Sequence, residues 1–239
     1  MPERVDPALT SPVRAIPGDL GKIPQPGIGL CLSGGGYRAM LFHLGALWRL
    51  NDAGLLIKLR RISSVSGGSI TAGALGMHWK RLGFDQNGVA HEFESLVVGA
   101  IRKLAVRTVD EGAILSGVLL PGTVADRVAA AYERHLFRGA TLQDLPSDAD
   151  GPRFVINATN VQTGSLWRFS RPYMGDWQVG LIRNPTVPLA KAVAASSAFP
   201  PVLSPVTLDV EPEQFDHTTY GPLFTAPYND ALVLSDGGI

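Results

Sequence analysis

The sequence IGLCLSGGGYRAMLFHLGALWRLNDAG, residues 28–54, decides the fold class of this chain. Residues 28–32 form a short apolar run that leads into three glycines, which predicts a buried strand followed by a tight turn. Residues 37–53 follow with the spacing of a helix, and Gly54 predicts its end. This spacing places Leu41, Leu44 and Trp48 on one face of the helix. A strand, a glycine turn and a helix in this order are typical of α/β proteins.

The same alternation then repeats. Residues 62–65 predict a second strand and residues 67–82 a second helix, so a right-handed crossover between parallel strands is expected. Further strands are predicted at 153–157, 166–170 and 231–235, and further helices at 123–136 and 187–198. We therefore expect a three-layer α/β fold with a mostly parallel central sheet flanked by helices.

Composition narrows the class of protein. Of the 239 residues, 45% are hydrophobic and 18% are charged, which is typical of a folded globular domain. Lys and Arg together number 21, and so do Asp and Glu, so no broad basic face is expected for nucleic acid. The one cysteine, Cys31, lies in an apolar run and is expected to be a buried thiol.

The chain is expected to hold one domain. Six prolines in residues 1–26 predict an extended N-terminal arm, and residues 27–239 show no repeat or break in composition. No apolar run is long enough for a membrane span, and no segment resembles a secretory signal, so we expect a cytoplasmic protein.

Two sharp turns carry the residues suited to chemistry, and each follows a predicted strand. The sequence SVSGG at residues 64–68 is close to G-x-S-x-G, the turn that exposes a nucleophilic serine, with Ser64 in place of the first glycine. Ser66 is therefore the candidate nucleophile. In the first turn, the N–H groups of Gly34, Gly35 and Gly36 could hold a phosphate or a developing oxyanion.

A serine hydroxyl needs a base to activate it. Of the five histidines, His217 follows Asp209 and Asp216 and fits the order Ser, Asp, His of a catalytic triad. Asp236 is the favoured alternative, because it ends an apolar strand and precedes two glycines that leave room for another group to approach.

Four motifs in order resemble the patatin-like phospholipases. They are G-G-G-x-R at 34–38, with Ala39 in place of a final glycine, the serine turn at 64–68, A-S-x-A-x-P at 195–200 and D-G-G at 236–238. The resemblance implies a lipid acyl hydrolase that uses a Ser–Asp pair, Ser66 and Asp236, and forms an acyl-serine intermediate. It also implies an oxyanion hole from the N–H groups of Gly34, Gly35, Gly36 and Gly67, and it implies no metal or other cofactor.

Several consequences of the resemblance stay open. Arg38 would brace the glycine loop, the favoured role, or contact a phosphate. Domains of this family normally continue past the D-G-G motif, so the domain is expected to be trimmed at its C-terminal end. The expected partner is a phospholipid or another acyl lipid. The oligomeric state, the chain length of the acyl group and the bond cleaved are not indicated.

Two other functions are weighed against hydrolysis. An inactive homologue could serve as a lipid-binding or interaction module, although both Ser66 and Asp236 are retained. A nucleotide-binding domain is less favoured, because no G-K-[ST] follows the glycine turn. Residues 113–120 form an apolar stretch that is either a core helix, the favoured interpretation, or a segment in contact with a membrane surface.

Overall fold

The computed structural model describes residues 26–110, 123–200 and 203–238. This part of the chain has eight strands: β1 Ile28–Leu32, β2 Leu59–Ser64, β3 Arg153–Asn160, β4 Ser165–Phe169, β5 Tyr173–Asp176, β6 Gly180–Arg183, β7 Val206–Asp209 and β8 Ala231–Asp236. It has five α-helices: α1 Gly36–Asp52, α2 Gly67–His78, α3 Gly99–Asp110, α4 Val124–Tyr132 and α5 Leu189–Ser196.

The strands form one mixed sheet in the order β1-β2-β3-β4-β5-β6, with β8 beside β3 and β7 beside β8. The β1–β2 and β2–β3 pairings are parallel. The other pairings among the described strands are antiparallel. The α/β class, with a central sheet flanked by helices, is thus confirmed, but the expectation of a mostly parallel sheet is wrong. From β3 to β6 the connections are short turns, which join antiparallel neighbours, whereas a parallel pair needs a long crossover.

Strand β3 organises the middle of the sheet. One edge of β3 pairs with β4 over residues 156–160. The other edge pairs with β2 over residues 153–156 and with β8 over residues 158–160. Because β2 runs parallel to β3 and β8 runs antiparallel, the carboxyl ends of β2 and β8 point towards each other along this edge.

The registers define how close those two ends come. β2 ends at Ser64 opposite Ile156, and β8 ends at Asp236 opposite Ala158. Only Asn157 of β3 lies between these positions, so the two strand ends are about 7 Å apart along the sheet. The C-terminal end of antiparallel β8 therefore lies beside the turn that follows β2.

Helix α1 is amphipathic. Its buried residues recur at helical spacing: Met40, His43, Leu44, Leu47 and Asn51. Of the three residues predicted to share one face, Leu44 is buried, whereas Leu41 is 45% exposed. Successive helical residues are about 100° apart around the axis, and the core lies on the side of Met40 and Leu44. Gly54, with φ 63°, follows the helix end as expected.

Helix α2 is buried along most of its length, from Gly67 to Gly76. Its small residues allow this, since a Cβ at Gly68 would lie 2.5 Å from the carbonyl oxygen of Leu32. Larger residues in α2 would force the helix away from β1. The close approach places the N-terminus of α2 beside the glycine loop that follows β1.

The sequence analysis missed α3, β5, β6 and β7. Of the predicted N-terminal arm only Pro26 is described, and the apolar stretch 113–120 lies outside the described residues. No helix in the described ranges is long and apolar enough to span a bilayer.

Candidate active site

Ser66 occupies the sharp turn between β2 and α2. Its backbone has φ 54° and ψ −123°, a conformation that a non-glycine residue keeps only where the surrounding structure enforces it. A Cβ at Gly67 would overlap the carbonyl oxygen of Gly36. The strand, the turn and the helix follow each other as predicted, although β2 begins at Leu59 rather than residue 62 and α2 ends at His78 rather than residue 82. Glycine is required at position 67 for the turn to lie against the glycine loop.

A cluster of buried hydroxyl groups holds the Ser66 backbone. The Ser66 N–H donates to the carbonyl oxygen of Ser196 at 3.1 Å and to its Oγ at 3.0 Å. Ser196 Oγ in turn donates to the Asn157 carbonyl oxygen at 2.6 Å. Ser69 Oγ lies 2.9 Å from Ser196 Oγ and 3.0 Å from Ser64 Oγ. The hydroxyl of Ser64, which stands where the motif has glycine, is thus part of this cluster.

The glycine loop passes directly beside the Ser66 side chain. A Cβ at Gly34 would lie 3.2 Å from Ser66 Cβ, and Gly35 and Gly36 have φ of 129° and 62°. Among the described residues, no acceptor takes the N–H groups of Gly34, Gly35, Gly36 or Gly67. Gly36 and Gly67 also begin helices, where the first N–H groups have no partner within the helix. These four groups remain able to bind an anion.

His43 fixes the loop to α1, a role that the sequence analysis missed. Its ring is buried, and Nε2 lies 3.0 Å from the carbonyl oxygen of Ser33 and 3.3 Å from Ser33 Oγ. A carbonyl oxygen can only accept, so Nε2 carries the proton. The signal was available: His43 falls on the buried face of α1, and a buried ring nitrogen needs a partner.

Asp236 ends β8 close to the serine turn. Its side chain is 4% exposed, its carboxylate accepts the Gly238 N–H at 2.8 Å, and its own N–H donates to the Ala198 carbonyl oxygen at 3.1 Å. A Cβ at Gly238 would lie 4.0 Å from Cγ1 of Val65, the residue before Ser66. The structure therefore brings together the end of β8, the serine turn and the glycine loop.

The two proposed catalytic side chains are not hydrogen-bonded to each other. In the described ranges Ser66 Oγ donates to no acceptor, and the Asp236 carboxylate accepts only from Gly238. Catalytic hydrogen bonds are often long before substrate binds. Proton transfer between Ser66 and Asp236 thus stays a prediction.

The other candidate residues lie differently. Arg38 is exposed and makes no hydrogen bond or ion pair with another described residue, so the expected loop brace is not present in this part of the chain. His217 follows Asp216, whose carboxylate binds Arg183 of β6. Strand β6 ends the sheet path and is separated from β2 by three strands, so the structure does not bring His217 to Ser66.

No group of three or more His, Cys, Asp or Glu side chains within the described ranges is placed to hold a metal ion. The chemistry that the arrangement supports is attack by a hydroxyl on an electrophile whose developing negative charge meets backbone N–H groups.

A family model described as patatin-like phospholipase matches residues 30–239. The chain belongs to the patatin-like phospholipase family. The matched range includes the glycine loop, the serine turn and Asp236, and the family that the four motifs indicated is confirmed. No curated protein matches the chain.

Solved structures from the comparison include a human and a bacterial protein. Human GIVD cytosolic phospholipase A2, in complex with methyl gamma-linolenyl fluorophosphonate, is 20% identical with a TM-score of 0.47, and the match covers 74% of this chain and 31% of that one. VipD from Legionella pneumophila is 16% identical with a TM-score of 0.44, and the match covers 89% of this chain and 46% of VipD. This chain thus matches less than half of either protein.

Proposed function

We propose that the protein is a lipid acyl hydrolase that cleaves fatty acyl esters of phospholipids or lysophospholipids. Membership of the patatin-like phospholipase family supports this proposal. The single observation that carries it is the strained backbone of Ser66 beside a glycine loop whose N–H groups have no acceptor among the described residues.

In the proposed mechanism Ser66 Oγ attacks the carbonyl carbon of the ester and Asp236 accepts its proton. The tetrahedral oxyanion then binds the N–H groups of the glycine loop and of Gly67. Collapse of this intermediate breaks the ester bond, and the departing alcohol takes the proton from Asp236. Asp236 then deprotonates a water molecule, which attacks the acyl-serine carbonyl. Collapse of this second intermediate releases the fatty acid, and Asp236 returns the proton to Ser66 Oγ.

The source of the oxyanion donors follows from the hydrogen bonds already made. The Ser66 N–H is held by Ser196, so it is not available to the oxyanion. The donors must then come from the glycine loop and from Gly67. A hydrolase of this design depends on the loop as much as on the nucleophile, since losing one donor costs about 10²–10³-fold in rate.

The test is fatty acid release from phosphatidylcholine vesicles and from a soluble short-chain ester. Ser66→Ala should lower both rates by at least about 10³-fold, because it removes the nucleophile. Ser170→Ala is the matched control: Ser170 is buried like Ser66, but its hydroxyl lies on the β4–β5 turn and donates to the Tyr173 carbonyl oxygen at 2.6 Å. Hydrolysis by Ser66→Ala at the wild-type rate would refute the proposal.

An inactive lipid-binding homologue is the second candidate. The observation that favours it is the absence of a hydrogen bond between Ser66 Oγ and any described acceptor. A fluorophosphonate probe separates the two functions, because it reacts with an activated serine and leaves an unactivated one unchanged. A wild-type protein that binds phospholipid vesicles but neither hydrolyses esters nor reacts with the probe would be of this second kind.

A further inference from the structure

Helix α1 exposes large apolar side chains next to the candidate active site. Tyr37, Leu41 and Phe42 are 38%, 45% and 72% exposed, and all lie in the first two turns of the helix. Their exposure is unusual, because an amphipathic helix normally turns its apolar side towards the core. Here the core side is already filled by other residues of α1, which leaves these three as a second apolar surface.

The charge on this surface has one sign. Arg38 and Arg49 are exposed, and α1 contains no Asp or Glu before Asp52. In the part of the chain that the structure describes, neither guanidinium forms an ion pair. Apolar side chains beside unpaired cations match a surface that offers hydrocarbon below a layer of negative charge. A bilayer containing anionic phospholipid is such a surface.

The position of the surface favours the same partner. α1 begins at Gly36, the last residue of the glycine loop, so the exposed side chains adjoin the proposed oxyanion hole. Phe199, 52% exposed, lies near the other side of the site, because it follows Ala198, which accepts the Asp236 N–H. A bilayer in contact with α1 would therefore lie close to Ser66.

We infer that Tyr37, Arg38, Leu41, Phe42 and Arg49, the α1 face, dock this protein onto bilayers that contain anionic phospholipid. This inference rests on the proposed function, because docking would bring acyl lipid to Ser66. The apolar side chains insert at the level of the headgroups, and the two arginines contact lipid phosphates or carboxylates. Docking is reversible, since it uses a few side chains rather than a spanning segment.

The first experiment measures co-sedimentation of the purified chain with vesicles of phosphatidylcholine and phosphatidylserine. Phe42→Asp should lower the partition coefficient about tenfold or more, because it removes an exposed aromatic side chain that would insert into the bilayer and adds a charge of the same sign as the lipid. The matched control is Val161→Asp, which places the same charge at a residue 50% exposed just after β3. It should leave the partition coefficient unchanged.

The second experiment separates charge from apolar contact. Arg49→Gln should weaken binding to the mixed vesicles about fivefold and leave binding to pure phosphatidylcholine nearly unchanged, since one cation near an anionic surface has an effect of this order. Added salt should reduce wild-type binding to the mixed vesicles in the same way. Equal losses on both kinds of vesicle would overturn the role of charge.

The outcomes also distinguish this inference from the proposed function. The Phe42 ring packs edge-on against His43, with the ring centroids 5.4 Å apart, so Phe42→Asp should lose much more activity on vesicles than on a soluble short-chain ester. No vesicle binding by the wild type, or equal losses in Phe42→Asp and Val161→Asp, would overturn the docking inference. So would a wild-type dimer that Phe42→Asp converts to a monomer without a change in vesicle binding, because the face would then bind a second copy. Failure to hydrolyse the soluble ester would instead count against the proposed function.

Discussion

Two buried aspartates end strands of the same sheet, and their surroundings differ. Asp176, at the end of β5, accepts four hydrogen bonds: from Asn160 Nδ2 at 3.0 Å, Thr163 Oγ1 at 3.2 Å, Gln178 N at 2.9 Å and Val179 N at 2.7 Å. Asp236, at the end of β8, accepts one from a described donor. A carboxylate whose oxygens already accept several hydrogen bonds holds the neighbouring turns together. A carboxylate that accepts only one hydrogen bond can also accept a proton. Burial alone therefore does not identify the catalytic acid or base.

The neighbouring backbone shows the same contrast. Around Asp176 the N–H groups of Gln178 and Val179 are used to hold the carboxylate. Around Ser66 the N–H groups of the glycine loop have no acceptor among the described residues. A structural site is closed by its own hydrogen bonds, while a site for a reaction keeps donors for the charge that the reaction creates.

Exchanging each aspartate for asparagine tests the comparison most strongly. Asp236→Asn should lower ester hydrolysis about 10²–10⁴-fold, because the amide cannot act as the general base. Asp176→Asn should keep the rate per folded molecule but lower the free energy of unfolding by about 1–3 kcal/mol, because its amide nitrogen would face another donor. Initial rates and urea unfolding curves give the two values. Comparable losses of activity in both variants would show that Asp236 and Asp176 do not differ in their roles.

The glycines of the site offer a second comparison. Gly67→Ala should lower activity about 10²–10³-fold, because the added Cβ overlaps the Gly36 carbonyl oxygen and displaces the proposed oxyanion donors. Gly45→Ala, within α1, meets no atom within 4 Å and should raise the free energy of unfolding by up to about 1 kcal/mol. Rates and thermal unfolding measure both effects. Unchanged kcat in a folded Gly67→Ala protein would argue against donors at this position.

Ser196 should act as a positioning residue. Ser196→Ala removes one acceptor of the Ser66 N–H and should lower kcat and the rate of fluorophosphonate labelling about tenfold, with little change in KM. Ser170→Ala loses a hydrogen bond of 2.6 Å, the same length as the bond from Ser196 Oγ to the Asn157 carbonyl oxygen, and should leave labelling unchanged. If labelling falls equally in both variants at equal folded fraction, the role of Ser196 is structural only.

The smallest effect concerns pH. Burial raises the pKa of Asp176 above its ordinary value of 3.8, despite the hydrogen bonds that lower it. Because the folded state then favours the neutral form, the stabilising contribution of this group is complete below pH 3.8 and is lost as pH rises through the folded-state pKa. As pH rises, the free energy of unfolding of the wild type should therefore fall relative to that of Asp176→Asn. A change in the opposite direction would show that the hydrogen bonds outweigh burial.

The sequence indicated the parts of the site that depend on local backbone chemistry. Tight turns are indicated by the glycines at 34–36 and 67–68 and by a serine between a strand and a helix. The positions of these turns were therefore predictable. The strand end and the two glycines indicated Asp236 as a base, and the order of the motifs connected it to Ser66. The connection depends on β8 running antiparallel to β3, a pairing between residues far apart in the chain.

Other features could not be predicted because they depend on tertiary packing. Periodicity places Leu41 and Leu44 on one face of α1 but does not show how far the core extends over that face, and Leu41 is exposed. Cys31 was expected to be buried and is exposed, because β1 is at the edge of the sheet. Strands β5 and β6 have four residues each, too few for an alternating pattern. The hydroxyl cluster joins residues from β2, α2 and α5, which no local pattern connects.

Mass spectrometry of the fluorophosphonate adduct shows whether Ser66 is the nucleophile and Asp236 its base. We expect one adduct, on the peptide that contains Ser66, formed at a wild-type rate in Asp176→Asn and much more slowly in Asp236→Asn. An adduct on another serine, or equal rates in these two variants, would contradict these roles.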